Sequence, residues 1–199
     1  MSTCVVITAA GRCTRMGCFK PMMPINGRPA VVHLLDTYFS AGVDHAIIVT
    51  GFQQEKLCRI CSGIPNLTFV RNTDYMTTQM FDSIRLGLSA VPENCDTVLL
   101  TPVDIPLVSR DTVQAVLRQS GRLVFPSHNR RRGHPLKVSH SLLPAIQGYH
   151  GDRGLKGALA TLHIEPQYAE VNDPFILMDM DTLREYSALI QSAGCCEVK

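Results

Sequence analysis

No stretch of the 199-residue sequence approaches the roughly 18 uninterrupted apolar residues that a membrane helix needs. Nor does the opening Met-Ser-Thr-Cys-Val-Val-Ile carry the basic region and cleavage site of a secretory leader, which predicts a cytoplasmic protein. Charge is sparse at 18%, against 45% hydrophobic residues, a balance that excludes a disordered chain. Internal repeats, linkers and low-complexity tracts are missing as well. The expectation is one domain over residues 1–192, followed by a loose tail at 193–199. Eight cysteines do not change this reading, because a chain of this length and apolar content buries a core without covalent staples. The single pair Cys58-x-x-Cys61 has no second pair at zinc-finger spacing and reads as inert thiols on a helix.

Acidic residues are missing from two long stretches. Residues 1–35 contain Arg12, Arg15, Lys20 and Arg28 but no Asp or Glu, and residues 112–151 hold Arg118, Arg122, Arg130, Arg131, Arg132 and Lys137 without an acid. From Glu165 to Lys199 the sign reverses, with seven acids against Arg184 and Lys199. Such a distribution suits a polyanion site beside a cation site, although an unevenly charged surface would give it too. No helix-turn-helix, zinc finger or aromatic-laced basic motif accompanies Arg130–Arg132, so a nucleic-acid partner is not expected.

What is present is an alternation of strand and helix signals. Cys4–Ala9 reads as a buried strand, Pro29–Ala41 as a helix with Val32, Leu35 and Phe39 on one side, and His45–Thr50 as a second strand closed by Gly51. A helix is expected over 53–61, a strand at Leu67–Val70, a helix near 81–90, and a buried strand at Thr97–Leu100. A helix near 110–119, a strand at Leu123–Phe125 and mixed elements follow. This order predicts an α/β fold with a mainly parallel sheet covered by helices on both faces. Ligands of such sheets bind beyond the carboxyl ends of the strands, which directs attention to 10–20, 50–52 and 101–106.

The first of these segments runs Ala9-Ala10-Gly11-Arg12-Cys13-Thr14-Arg15-Met16-Gly17-Cys18-Phe19-Lys20-Pro21. Gly11 and Gly17 let the backbone approach a ligand closely, and successive N–H groups there can form an anion-binding concavity. Arg12, Arg15 and Lys20 add charge suited to phosphates. The loop is not a Walker A motif, since no Gly-Lys-Ser/Thr follows, and its glycines do not make G-x-G-x-x-G, which disfavours a nicotinamide-dependent dehydrogenase.

With Pro24 and Gly27-Arg28-Pro29 behind it, this opening resembles the nucleotidyltransferases that load a nucleotide onto molybdopterin, a group that includes the molybdenum cofactor cytidylyltransferases. The resemblance implies the three-layer Rossmann-like sandwich of nucleotide-diphospho-sugar transferases, with a mainly parallel mixed sheet. It implies that Ala9, Ala10, Gly11, Arg12, Arg15 and Lys20 hold the nucleotide, and that Arg15, Lys20 and Asp104 are catalytic. The Ala-Ala-Gly opening resembles the cytidylyl branch, which implies CTP as donor, molybdopterin as phosphorylated acceptor, and passing contact with the enzyme that receives the cofactor.

The sequence supplies an acidic counterpart. Thr101-Pro102-Val103-Asp104-Ile105-Pro106 follows the buried Thr97 strand, and an Asp there needs a partner, water or a metal ion. Magnesium favours carboxylate and phosphate oxygens, and the resemblance makes Asp104 its ligand. Asp173 through Thr182 resembles the family's Asp-Ile-Asp-Thr segment. Read as a strand, it puts Asp179 and Asp181 on one face. Asp181, beside the start of a helix holding Leu183–Ile190, either completes the metal site or caps that helix, as Thr182 could.

Further matches mark the substrate side. Thr50-Gly51 lies at the end of the second strand, and Ser83 matches a serine that helps hold the nucleoside, although Asp82 before it departs from the common pattern. Arg132-Gly133-His134-Pro135 and the Gly151-Asp152-Arg153-Gly154 loop, through Asp152, resemble acceptor-binding elements, in or beside the second acid-free stretch, where a phosphorylated acceptor would be welcome. The reading is a magnesium-dependent nucleotidyltransferase. Alternatives are transfer to a sugar phosphate or another alcohol phosphate, and a nucleotide-binding module without catalysis.

Overall fold

A computed structural model describes residues 2–12 and 17–194. Along the chain these form β1 (Thr3–Ala9), β2 (Pro24–Ile25), β3 (Arg28–Pro29), α1 (Ala30–Ser40), β4 (His45–Thr50), α2 (Gln54–Ile60), β5 (Leu67–Arg71), α3 (Met80–Ser89), β6 (Thr97–Pro102) and α4 (Arg110–Arg118). β7 (Leu123–His128), β8 (Arg131–Arg132), β9 (Leu136–Ser139), α5 (Leu143–Gln147), α6 (Gly154–Ala160), β10 (Gln167–Glu170) and α7 (Leu183–Ser192) complete them.

The main sheet has eight strands in the order β10-β7-β9-β6-β1-β4-β5, with β8 paired to β7. β1 runs parallel to β4 and to β6, β4 parallel to β5, and β7 parallel to β10. β9 runs antiparallel between β6 and β7. The sheet is therefore mixed but mainly parallel.

The pleat sorts side chains to two faces. Val5, Ile7, Ala46, Ile48 and Leu99 meet α1, α2 and α4 through Leu34, Leu35, Leu57, Val113 and Val116. Cys4, Val6, Ile47, Val49, Val98 and Leu100 meet α3, α5 and α6 through Ile84, Leu88, Ile146 and Ala158. Strands buried on both faces have to be continuously apolar, which is why β1 and β4 carry Val-Val-Ile and Ala-Ile-Ile-Val. α3 lies very close to the sheet because Gly87 has no Cβ; one there would fall 2.4 Å from Val6 Cγ1.

A third, smaller core positions the site. α7 buries Tyr186, Leu189 and Ile190 against Ile25, Ala30 and Met180. Tyr186 donates its hydroxyl to the Pro24 carbonyl at 2.5 Å. This cluster joins the hairpin after Lys20 to the segment carrying Asp179 and Asp181.

Candidate active site

A cleft of about 600 Å³ opens above the carboxyl ends of β1 and β6. Ala9, Ala10 and Gly11 form one rim, with Tyr75, Thr78, Gln79 and Ser83 beside them. Lys20, Asp104, Asp179 and Asp181 lie at the centre, and Arg132, Gly133 and His134 form the far wall. Backbone pairing sets this arrangement. Val103 N–H donates to the Thr8 carbonyl at 3.1 Å, extending the β1–β6 register, and Met180 N–H donates to the Asp104 carbonyl at 3.2 Å. The second bond, with Met180 fully buried, brings the two acidic segments together.

Lys20 is buried and its ammonium donates to Asp104 Oδ2 at 2.8 Å and to Asp181 Oδ1 at 2.5 Å. Burial pulls the ammonium towards neutrality, but the hydrogen bonds and charges of the two aspartates outweigh it and the pKa ends above the ordinary lysine value. Burial raises Asp104 above the ordinary carboxylate value; Lys20 opposes this, while the charges of Asp181 and Asp179 reinforce it. Two carboxylates bonded to one ammonium, with Asp179 in the same lining, make this the negative centre of the cleft. Asp179 and Asp181 reach it from irregular chain rather than the expected strand, because the buried Met180 between them turns both outward.

The capping question at α7 has a definite answer. Thr182 Oγ1 accepts from Glu185 N–H at 3.2 Å and donates to Glu185 Oε2 at 2.8 Å. Thr182 caps the helix, and Asp181 lines the cleft.

Other expected residues separate into two groups. Ala9, Ala10, Gly11, Lys20, Ser83, Asp104, Gly133, His134 and Asp181 all line the cleft. Arg12 is exposed on the loop without lining it, and Arg15 lies outside the described residues, as does Cys13. Thr50 and Gly51 are corrected: they sit beneath the cleft rather than in it. Thr50 is fully buried and donates to the Val70 carbonyl at 3.3 Å. Gly51 packs under the loop, where a Cβ would stand 2.7 Å from the Ala10 oxygen and 2.8 Å from the Tyr75 side chain. Pro135 is also corrected; it is buried behind the wall, after a cis peptide from His134.

Asp152 belongs to an adjoining, more apolar pocket of about 490 Å³ between α3 and α6, floored by Val6, Ile84 and Leu100. The pocket shares Thr8, Met80 and His134 with the cleft. Burial lowers the His134 pKa, and the Leu100 carbonyl, 3.5 Å from Nδ1, only partly opposes this. His134 is thus held towards its neutral form where the two spaces meet.

A residue not anticipated from the sequence lies beneath the rim formed by Thr78 and Ser83. Asn72 is buried and donates to Ser83 Oγ at 3.1 Å and to Thr78 Oγ1 at 2.9 Å, while accepting from Asp74 N–H at 3.0 Å. Its position just past β5 obeys the same strand-end rule that drew attention to Thr50 and Asp104. Asp82 has a local task, accepting the Gln79 N–H at 2.9 Å to close the start of α3. Cys61 is buried, which pushes its thiol up to about 11, and among the described residues no cluster of three metal-ligating side chains occurs. No helix among these residues is long and apolar enough to cross a membrane.

Comparison with known proteins shows the family. The MobA-like NTP transferase domain matches residues 5–169. The molybdenum cofactor cytidylyltransferase of Escherichia coli K12 is 30% identical over 184 residues, 89% of this chain and 90% of that protein. A nucleotidyl transferase from Methanothermobacter superposes with a TM-score of 0.82 at 23% identity, over 96% of this chain and 97% of that one. A Mycobacterium tuberculosis H37Rv protein in complex with manganese gives 0.79 at 22% identity, over 96% and 100%. With a glycine loop, a buried lysine and converging aspartates at the strand ends, and with the family domain matched over most of its length, the chain belongs to the MobA-like NTP transferases and is a nucleotidyltransferase.

Proposed function

We propose that the protein transfers a cytidylyl group from CTP to the phosphate of molybdopterin with magnesium as its cation, releasing pyrophosphate. The observation that carries this reading is the convergence of Lys20, Asp104 and Asp181 in a cleft rimmed by the Ala9–Gly11 loop. CTP and molybdopterin are supported by the E. coli relative, named a molybdenum cofactor cytidylyltransferase, and by the Ala-Ala-Gly opening.

The residues present fit a divalent cation. Asp104 and Asp181 already share one cation, the Lys20 ammonium, at hydrogen-bond distance from both. Two hard oxygen donors suit magnesium, which is commonly held by one or two carboxylates together with phosphate oxygens and water. The Mycobacterium protein of the same fold that binds manganese supports a divalent ion of this class. When bound, the ion would neutralise charge on the transferred phosphate.

The chain's own groups would then position and neutralise. Lys20 and Arg15, with the amides around Ala10 and Gly11, would hold the leaving pyrophosphate. Arg12 would add positive charge at the loop. Ser83, braced by Asn72, would hold the nucleoside, while Thr50 and Gly51 shape the loop from beneath. Gly133, His134 and Asp152, backed by Pro135, would receive the acceptor. An oxygen of the acceptor phosphate forms the new bond to the α-phosphorus as the bond between that phosphorus and the α,β-bridging oxygen breaks. Pyrophosphate carries away the electron pair. The attacking phosphate is ionised at neutral pH, so no general base is required.

Calorimetric titration with CTP, GTP, ATP and UTP in magnesium, on the natural protein and on Asp104→Ala, tests this. Preference for CTP that weakens in the variant is expected. Preference for GTP or ATP would overturn the base assignment, and absence of nucleotide binding would overturn the reading.

A further inference from the structure

Among the described residues lining the cleft, two are cations: Lys20 and Arg132. Lys20 is engaged by Asp104 and Asp181. Arg132 has no carboxylate partner among the described residues; its guanidinium carbon lies 5.1 Å from the centre of the Phe125 ring. Phe125 is buried and stacks in turn on Tyr168, with centroids 6.3 Å apart and ring planes 24° from parallel. A guanidinium resting on a ring keeps its in-plane N–H groups free for a bidentate contact with phosphate or carboxylate.

The backbone beneath Arg132 is fixed. Its β8 strand pairs Arg132 with Ser127, and the next residue, Gly133, donates to the Pro126 carbonyl at 2.9 Å. His134 N–H then donates to the Ile176 carbonyl at 3.2 Å. Arg132 itself is exposed, but this anchored backbone and the Phe125 ring set its guanidinium at the cleft wall.

Its place relative to the other groups decides what it holds. In the sheet order, β7 and its partner β8 lie on one side of β6, and β1 with its glycine loop on the other. Asp104, just beyond β6, stands between them. In an in-line displacement the attacking and leaving oxygens lie on opposite sides of the phosphorus. With pyrophosphate on the β1 loop and the reacting phosphorus near Asp104, the attack comes from the β7–β8 side.

We infer that Arg132 binds the attacking phosphate of the acceptor. This rests on the nucleotidyl-transfer reading above.

The test uses inorganic phosphate as probe, titrated by calorimetry with and without saturating α,β-methylene-CTP and magnesium, and separately measures affinity for the nucleotide analogue. Natural protein, Arg132→Ala, Arg132→Gln and Arg132→Lys are compared after thermal melts establish that each is folded. The expected result is at least tenfold weaker phosphate binding in Arg132→Ala and Arg132→Gln. Arg132→Lys should be intermediate, and nucleotide affinity should stay within twofold throughout. Phosphate affinity unchanged in Arg132→Ala overturns the inference, as does an equal loss of nucleotide affinity, which would assign Arg132 to the triphosphate. Natural protein that binds nucleotide but no phosphate overturns the Arg132 site alone. Natural protein that binds neither overturns the site together with the transferase reading beneath it.

Discussion

The Lys20 ammonium stands 2.8 Å from Asp104 Oδ2 and at the same time bonds Asp181, so one side chain of the loop occupies the point where both carboxylates meet. Lys20→Met leaves two half-buried carboxylates facing each other and is expected to cost about 1–3 kcal/mol at pH 8, between the values for exposed and fully buried pairs. Because the Lys20 pKa is raised, its contribution is fully present below the ordinary lysine value of 10.5 and is lost as pH rises through the higher folded value. Manganese chloride without nucleotide should raise the melting temperature of Lys20→Met more than that of the natural protein, since the variant has no ammonium to displace. An equal effect on both would show that cation and lysine do not compete.

Asp181 and Thr182 are neighbours with separable tasks. Thr182→Ala removes the cap of α7 and should cost about 1 kcal/mol in urea unfolding while leaving transfer within a fewfold of normal. Asp181→Asn keeps the cap and should lower transfer at least a hundredfold with a smaller change in stability. If Asp181→Asn retained normal turnover, the assignment of this carboxylate to the reacting phosphates would fail.

Much of the architecture was legible because buried parallel strands must be apolar and end at their turns. His45–Thr50 agrees in both bounds, and Cys4–Ala9 gains only Thr3. The strand expected at Leu123–Phe125 runs on to His128; Pro126 suggests an end, yet its carbonyl accepts from Gly133, and the strand continues. Strand β9, antiparallel to both of its neighbours, has no local signal that fixes its direction. At the site, Asp104 and Gly11 were visible because strand-end chemistry is local. Thr50 and Gly51 misled because the loop folds back over them, with Phe52 N–H on the Ala10 carbonyl at 3.2 Å. Arg132 was visible as the residue that opens the Gly-His-Pro match, but nothing nearby in the sequence reveals the Phe125 ring under it.

The departure at Asp82 should prove structural. Its carboxylate closes the first turn of α3 on the Gln79 N–H, so Asp82→Ala is expected to cost about 0.5–2 kcal/mol, and nucleotide affinity should change less than twofold. Ser83→Ala, by contrast, should weaken nucleotide binding severalfold, because it removes the hydroxyl on the cleft rim that Asn72 braces. Calorimetry on the two variants reads the difference, and a large affinity loss in Asp82→Ala would place Asp82 in the nucleoside site.

His134 supplies a pH signature. Its folded pKa lies below the ordinary histidine value of 6.5, so the unfolded chain takes up a proton first on acidification. Its contribution makes stability fall as pH drops from about 6.5 through the folded value and become flat below it. Unfolding free energies from urea titrations between pH 8 and pH 5 should show a shallower decline in His134→Asn than in the natural protein. Parallel curves would mean that the imidazole is free to ionise in the folded state.

Gly133 and Gly11 flank the same cleft, yet a methyl group should act on them in opposite ways. At Gly133 a Cβ would fall 2.3 Å from the Ile176 carbonyl oxygen, and that carbonyl cannot retreat easily because it accepts from His134 N–H. Gly133→Ala is therefore expected to destabilise the fold by about 1–3 kcal/mol, as overpacking does, and to displace the Arg132 wall. At Gly11 a Cβ would meet nothing within 4 Å among the described residues, so Gly11→Ala should melt within about 2 °C of the natural protein, a shift on the order of 0.5 kcal/mol. The methyl group would instead occupy the space in which the loop approaches phosphate, and nucleotide affinity should drop at least fivefold. Unfolding curves and nucleotide titrations on the two variants give this crossed pattern. A Gly11→Ala protein with undiminished nucleotide affinity would show that the β1 loop does not hold the triphosphate.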